Sequence, residues 1–249
     1  MKIRYFSDLH LEFTDYAPAA LPSIGEDVVV LAGDIGRSTE GIEWAKSAFH
    51  NRPVLYVLGN HEFFRGHWDG LIDDARRAAE GSNVQVLERD QVVIDGVAFL
   101  GATLWTDFAI RGAGLREEAM LNAEELMYDY RRIECGRGSP LRPADTAARC
   151  RETTAWLEAS IRAATLPTVV ITHHSPTLSN EHPEFPGALT AAAFHSDREY
   201  LFQPPVRLWI SGHTHYSAAT RVNGIPLLSN QRGYPREALP FDWEACVAL

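Results

Sequence analysis

The chain has 249 residues, 45% hydrophobic and 22% charged, an ordinary globular balance that excludes global disorder and fibrous repeats. Its 23 Lys and Arg against 33 Asp and Glu leave a formal net charge of −10, which disfavours long nucleic acid as a partner unless a local positive charge, such as a metal ion, offsets it. No apolar run of about 18 residues is available to span a bilayer, and Asp8 interrupts the place where a signal peptide needs its apolar stretch, so neither membrane insertion nor secretion is expected.

Residues 2–7 read as a short strand. DVVVLA at 27–32 is a continuous apolar run of the kind a strand covered on both faces shows, and it stops at Gly33-Asp34. The spacing of Ile42, Ala45 and Phe49 predicts a helix over 41–50. A second buried strand at 53–58 stops at Gly59-Asn60, and a helix is expected over 68–79. QVVI and VAFLGA flank Asp95-Gly96, a strong hairpin signal. Residues 107–165, rich in Ala, Arg and Glu, read as a mostly helical insertion or cap with a break at GRGSPLRP. Residues 168–172 form the next buried strand, and the prolines of 174–190 mark a loop. His195 reads as the start of a helix capped by Ser196. Another strand at 206–210 ends in Ser211-Gly212-His213, and ATRV, IPLLS and ACVAL are short β runs in the tail. The widely spaced Cys135, Cys150 and Cys246 fit reduced thiols, and the cytoplasm is the expected location.

The pattern to explain is that the buried strands end in polar clusters: Asp8-Leu9-His10, Gly33-Asp34, Gly59-Asn60-His61-Glu62, Thr172-His173-His174 and Gly212-His213-Thr214-His215. In open α/β sheets ligands bind beyond the carboxyl ends of strands. Carboxylate, imidazole and amide donors suit borderline-hard divalent cations and argue against a thiolate site. In extended backbone, positions i and i+2 point the same way, so Asp8 with His10, and His213 with His215, are expected to face one ion.

D-x-H, G-D, G-N-H-E, a His after a buried strand and G-H-x-H, in this order from Asp8 to His215, resemble the calcineurin-like metallophosphoesterases; the tail SNQRGYPRE is similar to a small bacterial branch of them. The resemblance implies an α/β fold: a four-layer αββα sandwich of two mixed sheets flanked by helices, with 1–249 as a single domain carrying the 107–165 insertion. It further implies two divalent metal ions, manganese first, with iron, zinc or nickel as alternatives. Asp8, His10 and His215 would hold the first metal, Asn60, His173 and His213 the second, and Asp34 would bridge them. A shared carboxylate offsets the repulsion between two nearby cations, and Asn60 adds an oxygen without adding charge. The implied reaction is hydrolysis of a phosphomonoester or phosphodiester by in-line attack of a metal-activated water or hydroxide, with Asp34 and His61 catalytic and His61 serving as general acid or charge stabiliser.

The phosphoprotein phosphatases of this superfamily place an aspartate three residues after the bridging one, paired to the histidine of the third block. Here that position is Arg37, so no His61–Asp dyad is expected; Arg37 is instead a candidate phosphate ligand. Tyr130 and Arg131 within YDYRR, and Arg232 in the tail, are further candidates for contacting substrate, against the plainer reading of a solvated helix face and a tight turn. His173 is favoured over His174 as ligand, Glu62 reads as a supporting carboxylate, and Leu104–Asp107 reads as core packing in preference to a segment that approaches the site. The expected partner is a small phosphoester, a nucleotide among the options; oligomeric state stays open. The alternative function is a non-catalytic metal-binding scaffold of the same fold that binds a partner protein.

Overall fold

The structure is a computed structural model that describes residues 1–13, 18–136 and 138–249. β1 (Lys2–Phe6) and β2 (Val28–Ala32) lead into α1 (Glu40–Ala48), β3 (Val54–Val57), α2 (Leu71–Ala79) and β4 (Val84–Leu87). The hairpin of β5 (Asp90–Ile94) and β6 (Val97–Ala102) follows, then α3 (Arg116–Leu126), α4 (Asp129–Arg132), β7 (Glu134–Cys135), β8 (Ser139–Pro140) and α5 (Pro143–Ala163). β9 (Thr168–Thr172), β10 (Val206–Ile210), β11 (Ala219–Val222), β12 (Ile225–Leu228) and β13 (Cys246–Ala248) complete the order.

Two mixed sheets pack face to face, in the orders β13-β1-β2-β3-β4 and β11-β12-β10-β9-β6-β5, with helices outside them, as the resemblance implies. Every residue of β2 is buried, and its alternation divides them between two layers. Val28, Val30 and Ala32 meet Leu55, Val57, Val169 and Ile171 between the sheets, while Val29 and Leu31 pack with Ile42 and Ala45 of α1. Burying each such branched side chain contributes roughly 1.5–3 kcal/mol. The β5–β6 hairpin pairs Ile94 with Val97, and Asp95 (φ 47°) and Gly96 (φ 78°) both lie in the left-handed region a tight two-residue turn needs.

Two expectations change. The GRGSP break is the turn of a small hairpin, β7 with β8, although Arg137 lies outside the described residues. No helix starts at Ser196. Its buried hydroxyl accepts from the Asp107 amide at 3.4 Å, and a short 3-10 turn, Glu199–Leu201, follows instead. Tertiary contacts have claimed the group that would have capped a helix.

The site follows from the topology. β1, β2 and β3 run parallel in one sheet, β9 and β10 run parallel in the other, and their carboxyl ends converge. Crossings between the sheets hold the loops together: His173 Nδ1 donates to the Ala32 carbonyl at 2.9 Å, and the Gly212 amide donates to the His173 carbonyl at 2.9 Å.

Candidate metal centre

Beyond each strand end the backbone turns abruptly. Asp8 (φ 53°), His10 (φ 49°), Asp34 (φ 55°), His213 (φ 69°) and His215 (φ 48°) all occupy the left-handed region. Asp and His tolerate it better than most residues, yet each such position costs of the order of 1–3 kcal/mol and persists only where the surroundings fix it. Asp8 and His10 therefore share a face through two left-handed turns, not through the alternation of extended backbone, and the same holds for His213 and His215. Close approach matters at Gly59 and Gly212. A Cβ at Gly59 would overlap the Asp34 carboxylate and the His173 ring, and one at Gly212 would stand 2.6 Å from Asp8 Oδ2.

The donors gather into groups, Asp8–His10–His215 and Asp34–His173–His213, whose ligand atoms lie within 4.8 Å of one another. A third group, His10–Asp34–His61, joins them. Asp34 stands between: Oδ2 is 3.9 Å from His10 Nε2 and Oδ1 is 3.4 Å from His173 Nε2. Asn60 Oδ1 lies 3.0 Å from His173 Nε2, which is 3.1 Å from His213 Nδ1; His10 Nε2 and His215 Nε2 are 3.0 Å apart.

These spacings fit a metal centre. Two ligand atoms at right angles and about 2.1 Å from one ion stand about 3.0 Å apart. The opposite edge of three rings is already engaged: His10 Nδ1 faces Glu12 at 3.4 Å, His215 Nδ1 donates to Glu237 at 2.6 Å, and His173 Nδ1 donates to Ala32. Each ring so fixed turns Nε2 toward its neighbours, an arrangement that a proton or a metal cation between them satisfies. Burial opposes charge on His173 and His215, but Asp34 beside the first, and Asp8 and Glu237 beside the second, outweigh it and push them up to about 9 and about 10. Burial also opposes the charge on Asp8 and Asp34; the surrounding histidines reverse that and hold both carboxyls below their usual range.

His61 sits beside this centre. Its Nδ1 donates to Glu12 Oε1 at 2.7 Å, its backbone amide donates to Asp34 Oδ1 at 2.8 Å, and its Nε2 lies 3.1 Å from the Tyr234 hydroxyl. Burial lowers its affinity for a proton, but Asp34 and Glu12 more than restore it. The expected absence of a His61–Asp dyad is thus met by a His61–Glu12 pair supplied from a different loop. Burial opposes charge on Glu12 too, yet its two histidine partners pull it down to about 2.

The sequence reading passed over Glu12, Glu237 and Asp129. For Glu12 the available signal is its place at i+2 from His10 in D-L-H-L-E; Glu237 closes the tail segment GYPRE. Asp129 is buried, and Oδ1 has no partner among the described residues; burial pushes it up to about 6 against the pull of His61 and Asn60. Glu62 lies beneath the centre, accepting from the amides of Asp34, Ile35 and Gly59 at 2.8–3.0 Å and from Tyr56 at 2.7 Å. Gln231 ties the last turn down: Oε1 accepts from the His215 amide at 2.6 Å, and Nε2 donates to Thr214 at 2.9 Å.

A cavity of about 670 Å³ opens onto Asp34, Asn60, His61, His213 and His215. Tyr130 lies in the core, its hydroxyl 3.1 Å from Thr146. Arg131 is exposed on α4, Arg37 is half-buried, and Arg232 donates its amide to the Ser7 carbonyl; none of these four residues is on the cavity wall. His174 lies under the centre, its ring 5.0 Å from Trp105 and 4.1 Å from His213, with Nδ1 donating to the Thr103 carbonyl. Trp105 packs on Phe63 and Trp68, as the core reading of 104–107 expects.

The family profile of the calcineurin-like phosphoesterases matches residues 1–217. The chain belongs to this family. Among curated proteins it is similar to the mimivirus protein L509 of Acanthamoeba polyphaga mimivirus, 27% identical over 99% of this chain and 96% of that one. It is also similar to the acyl-carrier-protein phosphodiesterase PptH of Mycobacterium tuberculosis, 25% identical over 95% of this chain and 80% of that one. Among solved structures, that of the phosphopantetheinyl hydrolase PptH superposes with a TM-score of 0.78 at 21% identity, covering 99% of this chain and 95% of that one. A putative 5'-nucleotidase from Staphylococcus aureus shares the fold at a TM-score of 0.51 and 17% identity, over 93% of this chain and 49% of that one. This calcineurin-like phosphoesterase is therefore a hydrolase acting on phosphoester bonds. No helix among the described residues is long and apolar enough to cross a membrane.

Proposed function

We propose that the protein is a phosphodiesterase working at a two-metal centre held by Asp8, His10 and His215 on one side and Asn60, His173 and His213 on the other, with Asp34 shared. The observation that carries this reading is the pairing of imidazole nitrogens at 3.0–3.1 Å on either side of the two Asp34 oxygens. The similarity to PptH, a protein named as a phosphodiesterase, supports a diester over a monoester. The whole chain serves as one catalytic unit, with 107–165 as a cap whose Leu126, Met127 and Tyr128 wall the cavity. Its free thiols at Cys135, Cys150 and Cys246 fit a reducing compartment, so the cytoplasm is the proposed location.

When bound, two divalent cations, manganese first, would polarise the phosphoryl oxygens and lower the pKa of a water so that it attacks phosphorus in line. Asp34 offers one oxygen to each side, and Asn60 adds a donor without charge. His61 supplies the proton: Glu12 accepts from Nδ1 and its charge keeps the ring protonated, so the Nε2 proton passes to the departing ester oxygen. Tyr234 steadies Nε2 until substrate replaces it.

The test is metal content per chain, together with turnover of bis(4-nitrophenyl) phosphate and 4-nitrophenyl phosphate by manganese-, iron-, zinc- and nickel-loaded protein. Two ions per chain and faster diester cleavage are expected. Asp34→Asn and His61→Ala each lower kcat by about 10²-fold or more. Undiminished turnover in either variant contradicts the mechanism, and absence of both metal and turnover favours the scaffold reading.

A further inference from the structure

The mouth of the cavity has a distinct composition. Leu126 and Tyr128 of the insertion and Phe185 of the 174–190 loop line it. Leu126, Tyr128 and Phe185 are 52%, 55% and 61% exposed, and large apolar side chains this open, gathered at one mouth, mark a contact surface. Its acidic residues are Glu181, paired with Arg111, and the exposed Glu184; Asp129 and Glu237 belong to the metal centre, beside His61 and His215, and among the described residues no Lys or Arg lines the cavity. The nearby guanidinium groups are already engaged by wall residues: Arg111 binds Glu181 and the Ala188 carbonyl, and Arg132 lies 4.7 Å from the centre of the Tyr128 ring.

The volume, about 670 Å³, is in the ~300–1,000 Å³ range of sites that enclose a whole small molecule and not a phosphoryl group alone. A second phosphate or carboxylate on the substrate would face the exposed Glu184 and an Arg111 already neutralised by Glu181, with no Lys or Arg among the described lining residues to meet it. An uncharged chain would cover Leu126, Tyr128 and Phe185 and take hydrogen bonds from the polar rim.

Resting on the phosphodiesterase reading above, we infer that the substrate is a diester whose reacting phosphate is its only anionic group. One ester arm is uncharged, elongated and partly apolar, and it lies between the insertion at Leu126–Tyr128 and the loop at Phe185. Polyphosphate esters, including nucleoside di- and triphosphates, do not fit this wall.

The experiment uses metal-loaded full-length protein and three 4-nitrophenyl phosphodiesters. One carries a long arm ending in a primary amide, one the same arm ending in a carboxylate, and one only a methyl group. The amide-armed diester is expected to exceed the carboxylate-armed one in kcat/KM by at least tenfold, and the methyl diester by a similar factor. Phe185→Ser, at an exposed position, should lower the ratio of amide-armed to methyl turnover at least threefold. Glu184→Lys should narrow the gap between amide- and carboxylate-armed substrates. Dissociation constants of the matching uncleavable phosphonates should follow the same order. Equal or faster cleavage of the carboxylate-armed diester, or a long-arm ratio untouched by Phe185→Ser, overturns this inference alone. Failure to cleave any of the three overturns the phosphodiesterase reading, and this inference with it.

Discussion

Glu12 touches two histidines to which the proposed mechanism gives different tasks, His10 facing the metal and His61 donating the proton. Its carboxyl is drawn down to about 2, so it stays charged throughout the neutral range, and its favourable contribution to folding fades only as pH falls from about 4.5 through 2. Glu12→Gln keeps the shape and removes the charge. The variant is expected to lose 10- to 100-fold in kcat. The basic limb of its pH–rate profile should move to lower pH, because a ring without that charge gives up its proton sooner; an unmoved limb would separate Glu12 from proton transfer. Glu62 tests a different property. Three amides and the Tyr56 hydroxyl converge on it, and Glu62→Gln would turn one acceptor into a donor facing N–H groups. A loss of about 1–3 kcal/mol in urea unfolding is expected, the scale of a buried polar group left unmatched. At this scale the sequence displayed the candidate donors themselves, since each proposed metal ligand stands in a short block after a strand-like run. The supporting carboxylates were hidden because Glu237 and Glu12 reach their histidines from positions 22 and 49 residues away from His215 and His61.

The elements were legible wherever burial was complete. β2, β3 and β9 read as apolar runs because both faces are covered, and the Asp95-Gly96 turn announced β5 and β6. β7 and β8 were not legible: Glu134–Cys135 and Ser139–Pro140 are too short and too polar to carry a period, and Glu134 is held from a distant segment, the Trp68 amide donating to its carbonyl at 2.8 Å. The strand ends illustrate a subtler limit. Period-two reasoning put Asp8 beside His10 on one face, and they do share one, but through left-handed turns that no pattern of hydrophobicity encodes. The same tight turns leave no room at Gly59, where a Cβ would meet Asp34 and His173. Gly59→Ala should therefore weaken metal retention by at least ~10-fold, the low end of disturbed ligand orientation, while leaving far-ultraviolet circular dichroism unchanged. Full metal retention in that variant would show that the loop can give way.

Across the whole molecule, the two sheets act as a frame whose parallel strand ends bring carboxylates and imidazoles close enough to need a cation. Without metal, protons take part of that place: His173 is pushed up to about 9 and His215 to about 10, so both hold a proton at pH 7. Their contribution to folding is complete below about pH 6.5 and is lost as pH rises through 9 to 10, so the metal-free protein should lose stability over that interval while the loaded protein does not. Metal binds the neutral ring, so loading at pH 7 should release about two protons from these histidines, and affinity should rise between pH 7 and 9. Calorimetry in two buffers of different ionisation enthalpy measures the release; a value near zero would contradict the assignment of His173 and His215 as ligands. The most direct measurement is anomalous diffraction from crystals of manganese-loaded protein. Two peaks are predicted, one contacting Asp8, His10 and His215 and the other Asn60, His173 and His213, with Asp34 reaching both. A single peak, or any pair that leaves Asp34 unligated, would contradict the account.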